Sequence, residues 1–152
     1  MTRHVTLVVL ALALVSTQAE SRSKRIHVTA EIVQTTFTGD IADPQLGDRL
    51  ISSVKLFDKH DETEQVGTGT GVCTVASVQD LPEVKDTLLQ CLLTATFDKG
   101  QIIFVGAAPL PEVGLVAEFG IVGGTDRFQK ARGEATLTVL SPDTQDAVFE
   151  LE

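Results

Sequence analysis

Apolar and polar side chains alternate over most of the chain, in short stretches separated by turn residues. In the stretch 26–32, isoleucine, valine and alanine take every second position, and His27, Thr29 and Glu31 take the positions between them. A period of two is typical of a β-strand that has one covered face. No apolar period of 3.6 residues persists for three turns, so the pattern predicts almost no helix.

Turn residues divide the chain into eight predicted strands. They cover residues 26–32, 49–57, 66–75, 87–97, 101–108, 115–122, 133–140 and 145–151. Eight antiparallel strands at this spacing form a closed barrel or a sandwich. Gly67, Gly69 and Gly71 leave one face of the third strand without side chains, which lets that strand bend or lets a ligand or another backbone come close. The glycines favour the barrel, which at eight strands holds packed side chains or one small ligand.

The first residues do not share this pattern. Arg3 and His4 precede an unbroken apolar run over 5–15, and small residues follow at Thr17 and Ala19. This pattern predicts a secretory signal peptide, residues 1–19, that is cleaved near Ala19. We therefore expect a secreted protein whose single domain is residues 20–152 and which has no membrane attachment after cleavage. The alternative is a retained amphipathic lid, but the run has no polar face.

Composition limits the possible partners. The formal net charge is −9 and the chain has no tryptophan or tyrosine. Nucleic-acid binding is excluded on this ground, because it depends on clustered cations and on aromatic platforms for bases. The chain has only two cysteines, which are too few for a zinc cage, and no metal or cofactor is predicted.

Four motifs in this order resemble the allene oxide cyclase-like and dirigent-like barrel family. They are 66–73 (VGTGTGVC), 97–102 (FDKGQI), 123–128 (GGTDRF) and 131–133 (ARG), and Asp126 stands where the family usually has glycine. The resemblance implies an eight-stranded antiparallel barrel, a homodimer or homotrimer, and an apolar small molecule as guest. The family includes oxylipin cyclases, dirigent proteins that steer radical coupling, and bacterial barrels that close polyketide rings.

The resemblance places two catalytic candidates, Glu31 and Cys73. A carboxylate in an apolar cavity stabilises positive charge or accepts a proton. Alternation with Ile32 instead places Glu31 on the solvent face. Symmetric pairing about Pro82 puts Cys73 opposite Cys91, at a separation that a disulfide spans. In an exported protein a structural disulfide is the main interpretation, and a free working thiol at Cys73 is the alternative.

Five further residues are candidates for ligand binding: Phe37, Phe104, Phe119, Glu118 and Arg132. The phenylalanines either shape a pocket or belong to the core. Glu118 is the one charge in an apolar strand and lies either outward or in the cavity. Arg132 pairs with such a carboxylate, anchors an anionic group, or forms a structural salt bridge at the barrel rim.

Two acidic segments are better explained as turns than as metal sites. His60 lies among carboxylates at 58–64, and Asp40, Asp43 and Asp48 follow no regular ligand spacing. Three hypotheses of function then remain. The first is a cofactor-free cyclase or isomerase that controls ring closure of a polyunsaturated, oxylipin-like or polyketide-like substrate. The alternative is a non-catalytic barrel, of the dirigent or lipocalin type, that binds an apolar ligand. The third is a secreted interaction module with a filled barrel.

Overall fold

The computed structural model describes residues 24–81 and 84–152. The predicted signal peptide lies outside these residues. The described chain forms eight strands and one short 3₁₀ turn, η1 (Asp126–Phe128). The strands are β1 (Lys24–Phe37), β2 (Arg49–Asp58), β3 (Gln65–Leu81), β4 (Val84–Phe97), β5 (Gly100–Pro109), β6 (Val116–Gly124), β7 (Gly133–Ser141) and β8 (Thr144–Leu151).

The strands close into an antiparallel barrel in which each strand pairs with its neighbours in the chain. β1 also pairs with β8, from Lys24 opposite Leu151 to Glu31 opposite Thr144, and this ladder completes the cylinder. The eight predicted strands and the closed barrel are therefore confirmed, and the sandwich is excluded. In the described part of the chain, no helix is long and apolar enough to cross a membrane.

The longest hairpin, β3–β4, runs further than the sequence pattern predicts. Its ladder extends to Leu81 opposite Val84, whereas the sequence pattern ended the third strand at Val75 and began the fourth at Thr87. The register shifts by one residue between Val75 and Ser77, so Ala76 forms a bulge. From Val75 back towards the start of β3, the pairing is the predicted one, with Cys73 opposite Cys91.

One end of the barrel, which carries η1 and which we call the η1 end, is filled by aromatic side chains. Phe149 lies at the centre of this packing, 1% exposed. Its ring centroid is 5.3 Å from that of Phe104 and 6.2 Å from that of Phe97, and Phe97 contacts Phe128 of η1 at 6.0 Å. Tilted and edge-on ring pairs at these distances are favourable. These rings close the lumen at the η1 end.

Glycine and aspartate shape the turn that leads into η1. Gly123 and Asp126 both have positive φ, 153° and 50°. Asp126 stands where the resemblance predicts glycine. Its left-handed backbone accounts for the family's preference, and aspartate is among the few other residues that adopt this conformation readily.

Candidate functional site

The candidate site is the part of the lumen between the aromatic packing and the opposite end of the barrel, which carries the β5–β6 loop. It contains two chambers. The lower chamber, about 50 Å³, lies against Phe104, Phe149 and Ala30, and the upper chamber, about 90 Å³, lies against Phe119, Leu89 and the two cysteines. Both are lined by Ser52, Leu93, Leu137 and Gln145. Pockets for drug-sized ligands measure about 300–1,000 Å³, so both chambers are smaller than an ordinary drug-sized site.

The chamber walls are apolar apart from a few hydroxyl and amide groups. Among the described residues, none that lines either chamber carries an ionisable side chain. Ser52 on β2 and Gln145 on β8 share the inward faces of their strands with Leu50, Val54 and Ala147. Neither side chain has a hydrogen-bond partner among the described residues. Both groups are therefore available to a guest with a hydroxyl or carbonyl group.

Ser52 and Gln145 were not predicted as site residues, although the sequence contains a signal for both. In β8, positions 147, 149 and 151 are apolar and point inward, so Gln145 lies on the same face. In β2, Ser52 alternates in the same way with Leu50 and Leu56. A polar residue on the apolar face of a predicted barrel strand marks a lumen group.

Glu31 does not face either chamber. Its side chain is exposed on the outer surface of β1, and its register partners are Lys55 on β2 and Thr144 on β8. The neighbouring Ala30 faces inward instead and lines the lower chamber. The strand alternation therefore describes Glu31 correctly, and the inward carboxylate implied by the resemblance is not present at this position.

Cys73 lines the upper chamber, as the resemblance implies, but it is not a free thiol. It forms a disulfide with Cys91, with a Cα–Cα distance of 4.0 Å. The predicted disulfide is thus present in the structure. Cys73 contributes an apolar, rigid part of the wall, and thiolate chemistry would require reduction of the bond.

Two of the three candidate phenylalanines contact the lumen. Phe104 lines the lower chamber and Phe119 the upper one, and their rings pack edge to face at 5.9 Å. Phe37 is half-buried at the end of β1, packs against the core and lines neither chamber.

Glu118 and Arg132 lie outside the lumen. Glu118 is exposed on the outer face of β6 opposite Thr136. Arg132 is also exposed, and its Nη1 donates hydrogen bonds to the carbonyls of Val122 and Ala131 at 2.8 and 2.7 Å. Arg132 therefore fixes the backbone between β6 and β7 and forms no salt bridge within the described residues. Neither side chain lines either chamber.

The glycines of β3 make room for side chains from the neighbouring strands. A methyl group at Gly69 would lie 2.7 Å from Cγ2 of Val54, and one at Gly71 would contact Cδ2 of Leu93. Ser52 and Leu93 thus lean over the bare face of β3 into the chambers. At Gly69 and Gly71 side chains of the barrel make the close approach, whereas at Gly67 the backbone carbonyl of Thr96 makes it, as predicted for another backbone.

The acidic segments are turns. Asp58 accepts hydrogen bonds from the backbone N–H groups of His60 and Asp61, and Asp40 accepts one from Ala42. Such bonds stabilise the turns through aspartate side chains. No group of three or more metal-ligating side chains was found among the described residues.

A charged cluster lies on the outer surface where β1 meets β8. Asp146 accepts hydrogen bonds from His27 Nε2 at 2.8 Å and from Lys59 Nζ at 2.9 Å. Burial opposes ionisation of Asp146, but the bonds from Lys59 and His27 outweigh it and hold the pKa of this carboxyl below its ordinary value. The hydrogen bond to Asp146 raises the pKa of Lys59 in turn.

Comparison with protein families decides the relationship. A family model described as Dirigent-like protein matches residues 15–152. The chain belongs to the dirigent-like protein family. The resemblance that the sequence motifs suggest is thereby confirmed. A search of curated protein sequences found no match.

Solved structures with the same fold include enzymes and a dirigent protein. A pyocyanin demethylase is 25% identical, with a TM-score of 0.66 over 84% of this chain and 99% of its own. AbnU, an exo-specific intermolecular Diels-Alderase, is 20% identical, with a TM-score of 0.66 over 84% of this chain and 98% of its own. The pterocarpan synthase dirigent protein GePTS1 is 17% identical, with a TM-score of 0.58 over 86% of this chain and 83% of its own. This dirigent-like barrel therefore has both ring-closing enzymes and a dirigent protein as structural neighbours.

Proposed function

We propose that the protein is a dirigent-type barrel that binds a compact apolar small molecule in its lumen and holds it in one orientation. The observation that carries this proposal is the pairing of apolar walls with two polar side chains, Ser52 and Gln145. Neither has a hydrogen-bond partner, and the chambers have no ionisable group, within the described part of the chain. Apolar contact supplies affinity, while a few placed polar groups fix the orientation of a ligand. The 25%-identical demethylase also supports a small-molecule guest, since its name gives pyocyanin as substrate.

The outward position of Glu31 favours binding over acid–base catalysis. With Glu31 outside and Cys73 in a disulfide, neither catalytic candidate is available to a guest in the lumen. The size of the chambers argues against an extended fatty-acyl chain, which would have to displace wall side chains. The guest class we propose is therefore a hydroxyl- or carbonyl-bearing molecule of one or two rings.

Ring closure is the second candidate, and one observation favours it. The Gln145 amide is a hydrogen-bond donor that faces the same space as the Ser52 hydroxyl. A cycloaddition needs no side-chain base, and a preorganised pocket accelerates it by fixing the reacting ends close together. A donor on a substrate carbonyl would add electrostatic activation. A linear trienone incubated with the protein tests this candidate, since catalysis would change the rate and the stereoisomer ratio of the cyclic product.

The binding proposal is tested by titration with 2-naphthol and with naphthalene, which differ by one hydroxyl. The chain has no tryptophan or tyrosine, so naphthol fluorescence is measured without protein background. We expect 2-naphthol to bind about fivefold more tightly than naphthalene, because one hydrogen bond contributes about 1 kcal/mol. The double variant Ser52→Ala, Gln145→Leu should abolish the difference, because it removes both polar groups, and Glu31→Gln, on the outer face, should preserve it. Failure of both compounds to bind, or an unchanged preference in the double variant, would overturn the proposal.

Secretion is proposed on two grounds. The leader pattern of residues 1–19 predicts export, and the Cys73–Cys91 disulfide suits an oxidising compartment. The N-terminal sequence of the exported protein tests this, and we expect it to begin at Glu20. A mature chain that retains residues 1–19 would contradict the proposal.

The predicted homodimer or homotrimer also remains a proposal, and an uncharged band on the outer surface supports it. Ile51, Val72, Leu92 and Val105 pair in register across β2 to β5, and the first three are 42%, 41% and 55% exposed. Serine and threonine flank this ladder at Ser53, Thr70 and Thr94. Because the chain carries a net charge of −9, a second copy approaches most favourably where the surface is apolar and uncharged.

A further inference from the structure

At the η1 end, outside the barrel, three cations line one pocket and a fourth lies on a neighbouring turn. Lys24, Arg127 and Lys130 line a pocket of about 240 Å³, and Lys99 lies on the adjacent β4–β5 turn, where its carbonyl accepts a hydrogen bond from the N–H of Arg127. We call this the basic pocket. It is unusual in a chain with 12 basic and 21 acidic residues.

Within the part of the chain that the structure describes, these cations form no ion pair with the protein's own carboxylates. In the described ranges, none of Lys24, Lys99, Arg127 and Lys130 lies within ion-pair distance of a carboxylate, whereas Arg25 pairs with Glu150 and Lys59 with Asp146. Glu152 borders the basic pocket without making such a contact. Burial lowers the pKa of Lys24, and the charges of Arg127 and Lys99 lower it further. Like charges held together at one place store repulsion that a bound anion relieves.

The floor of the basic pocket is apolar. Phe128, Ala131 and Leu151 form it, and all three are buried. Lys24 Nζ lies over the Phe128 ring, 5.8 Å from its centroid, in a cation–π contact that holds the ammonium group above part of this floor. The pocket thus offers charge at its rim and an apolar surface beneath.

We propose that the basic pocket binds a small organic anion, with its phosphate or carboxylate group between Lys24, Arg127 and Lys130 and its apolar part on Phe128. Arg127 supplies a planar guanidinium that matches either head group, and the lysines supply point charges. The apolar floor beneath the cations lets the apolar part of the ligand contribute to binding. This site is separate from the lumen, because Phe97, Phe128 and Phe149 close the barrel between them. The inference therefore does not rest on the proposed function.

The test is calorimetric titration of the full mature chain with phenyl phosphate, inorganic phosphate and benzyl alcohol. We expect phenyl phosphate to bind most tightly, inorganic phosphate more weakly and benzyl alcohol not at all, because the first alone combines charge with an apolar body. Added salt should weaken the binding. Backbone amide resonances of residues 127–131 should shift on addition of phenyl phosphate, which locates the site.

Two variants distinguish binding in the basic pocket from non-specific electrostatic attraction of the anion to the protein surface. The double variant Lys24→Gln, Arg127→Gln should weaken phenyl phosphate binding about tenfold. Lys55→Gln removes a positive charge from the outer face of β2 and should change the affinity less than twofold. Thermal unfolding of each variant shows whether it is folded. If the double variant does not fold, the resonance shifts of residues 127–131 in the unmodified protein still test the location of the site.

The proposal would be overturned if phenyl phosphate did not bind, or if benzyl alcohol bound as tightly as phenyl phosphate. It would also be overturned if Lys55→Gln weakened phenyl phosphate binding as much as the double variant does, or if the resonance shifts were confined to lumen residues. Binding only to vesicles of anionic phospholipid would also overturn it, since that would identify a membrane surface as the partner. Gln145→Leu should leave phenyl phosphate binding unchanged, so failure of the lumen proposal remains distinguishable from failure of this one.

Discussion

Cys73 lies directly opposite Cys91 across the β3–β4 ladder, and the disulfide between them forms part of the wall of the upper chamber. The two residues are separated by 18 positions. Closing a loop of this length restricts the unfolded chain and contributes about 3 kcal/mol in the chain-entropy model. We expect reduction to lower the free energy of unfolding by about that amount, measured by urea denaturation with and without reductant. Because the chain has only these two cysteines, reductant should have no effect on the double variant Cys73→Ser, Cys91→Ser. Equal stability of the oxidised and reduced forms would contradict this prediction.

The cluster of Asp146, His27 and Lys59 predicts a specific pH dependence. The pKa of Asp146 lies below its ordinary value of 3.8, so its contribution to stability is present above that value and is lost as the pH falls through the folded-state pKa. The raised pKa of Lys59 has its effect at high pH. The contribution of Lys59 to stability is present below its ordinary pKa of 10.5 and is lost as the pH rises through the folded-state pKa.

Asp146→Asn should therefore destabilise the protein by about 1 kcal/mol near neutral pH, with the difference shrinking towards pH of about 2. Urea midpoints across this pH range measure it. Glu118→Gln is the matched control, because Glu118 is exposed and has no ion pair among the described residues. A constant difference at all pH values would show that Asp146 acts through packing and not through its charge.

The barrel could be predicted from the sequence because its signals are local. Alternation of apolar side chains identifies each strand, and turn residues mark the ends. The positions of Cys73 and Cys91 follow from pairing geometry as well, because the bulge at Ala76 restores the register that a turn centred on Pro82 requires. The longer reach of β3 and β4 was not predictable, since the residues beyond Val75 and before Thr87 lack clear alternation.

The site was less predictable, for two physical reasons. Glu31 was placed by resemblance, while its own alternation with Ile32 already indicated the outer face. Ser52 and Gln145 carry no motif, and only their position on an otherwise apolar strand face reveals them. The volume of the chambers depends on how side chains from different strands fill the lumen, as Leu93 and Val54 do over the glycines of β3. No pattern along a single strand contains that information.

The uncharged band on the outer surface predicts the effect of a new charge. Leu92, 55% exposed, lies within the registered ladder of Ile51, Val72 and Val105. Leu92→Glu places a carboxylate that association would bury without a partner, so we expect it to convert the proposed oligomer to a monomer. Light scattering coupled to size-exclusion chromatography measures the mass. Leu140→Glu adds the same charge at a position 47% exposed on β7, outside the ladder, and should leave the mass unchanged. A monomeric unmodified protein would refute the homo-oligomer.

Two glycines of β3 predict different costs for the same added methyl group. At Gly67 the new Cβ would contact the backbone carbonyl of Thr96, which the β3–β4 ladder holds in place. At Gly71 it would contact Cδ2 of Leu93, the mobile end of a side chain. We expect Gly67→Ala to cost about 3 kcal/mol of stability and Gly71→Ala about 1 kcal/mol, since overpacking is tolerated where a neighbour can rotate away. Leu93 lines both chambers, so its displacement in Gly71→Ala should also weaken 2-naphthol binding while the barrel stays folded. Urea denaturation and the naphthol titration test both effects, and unchanged binding in Gly71→Ala would place the guest away from Leu93.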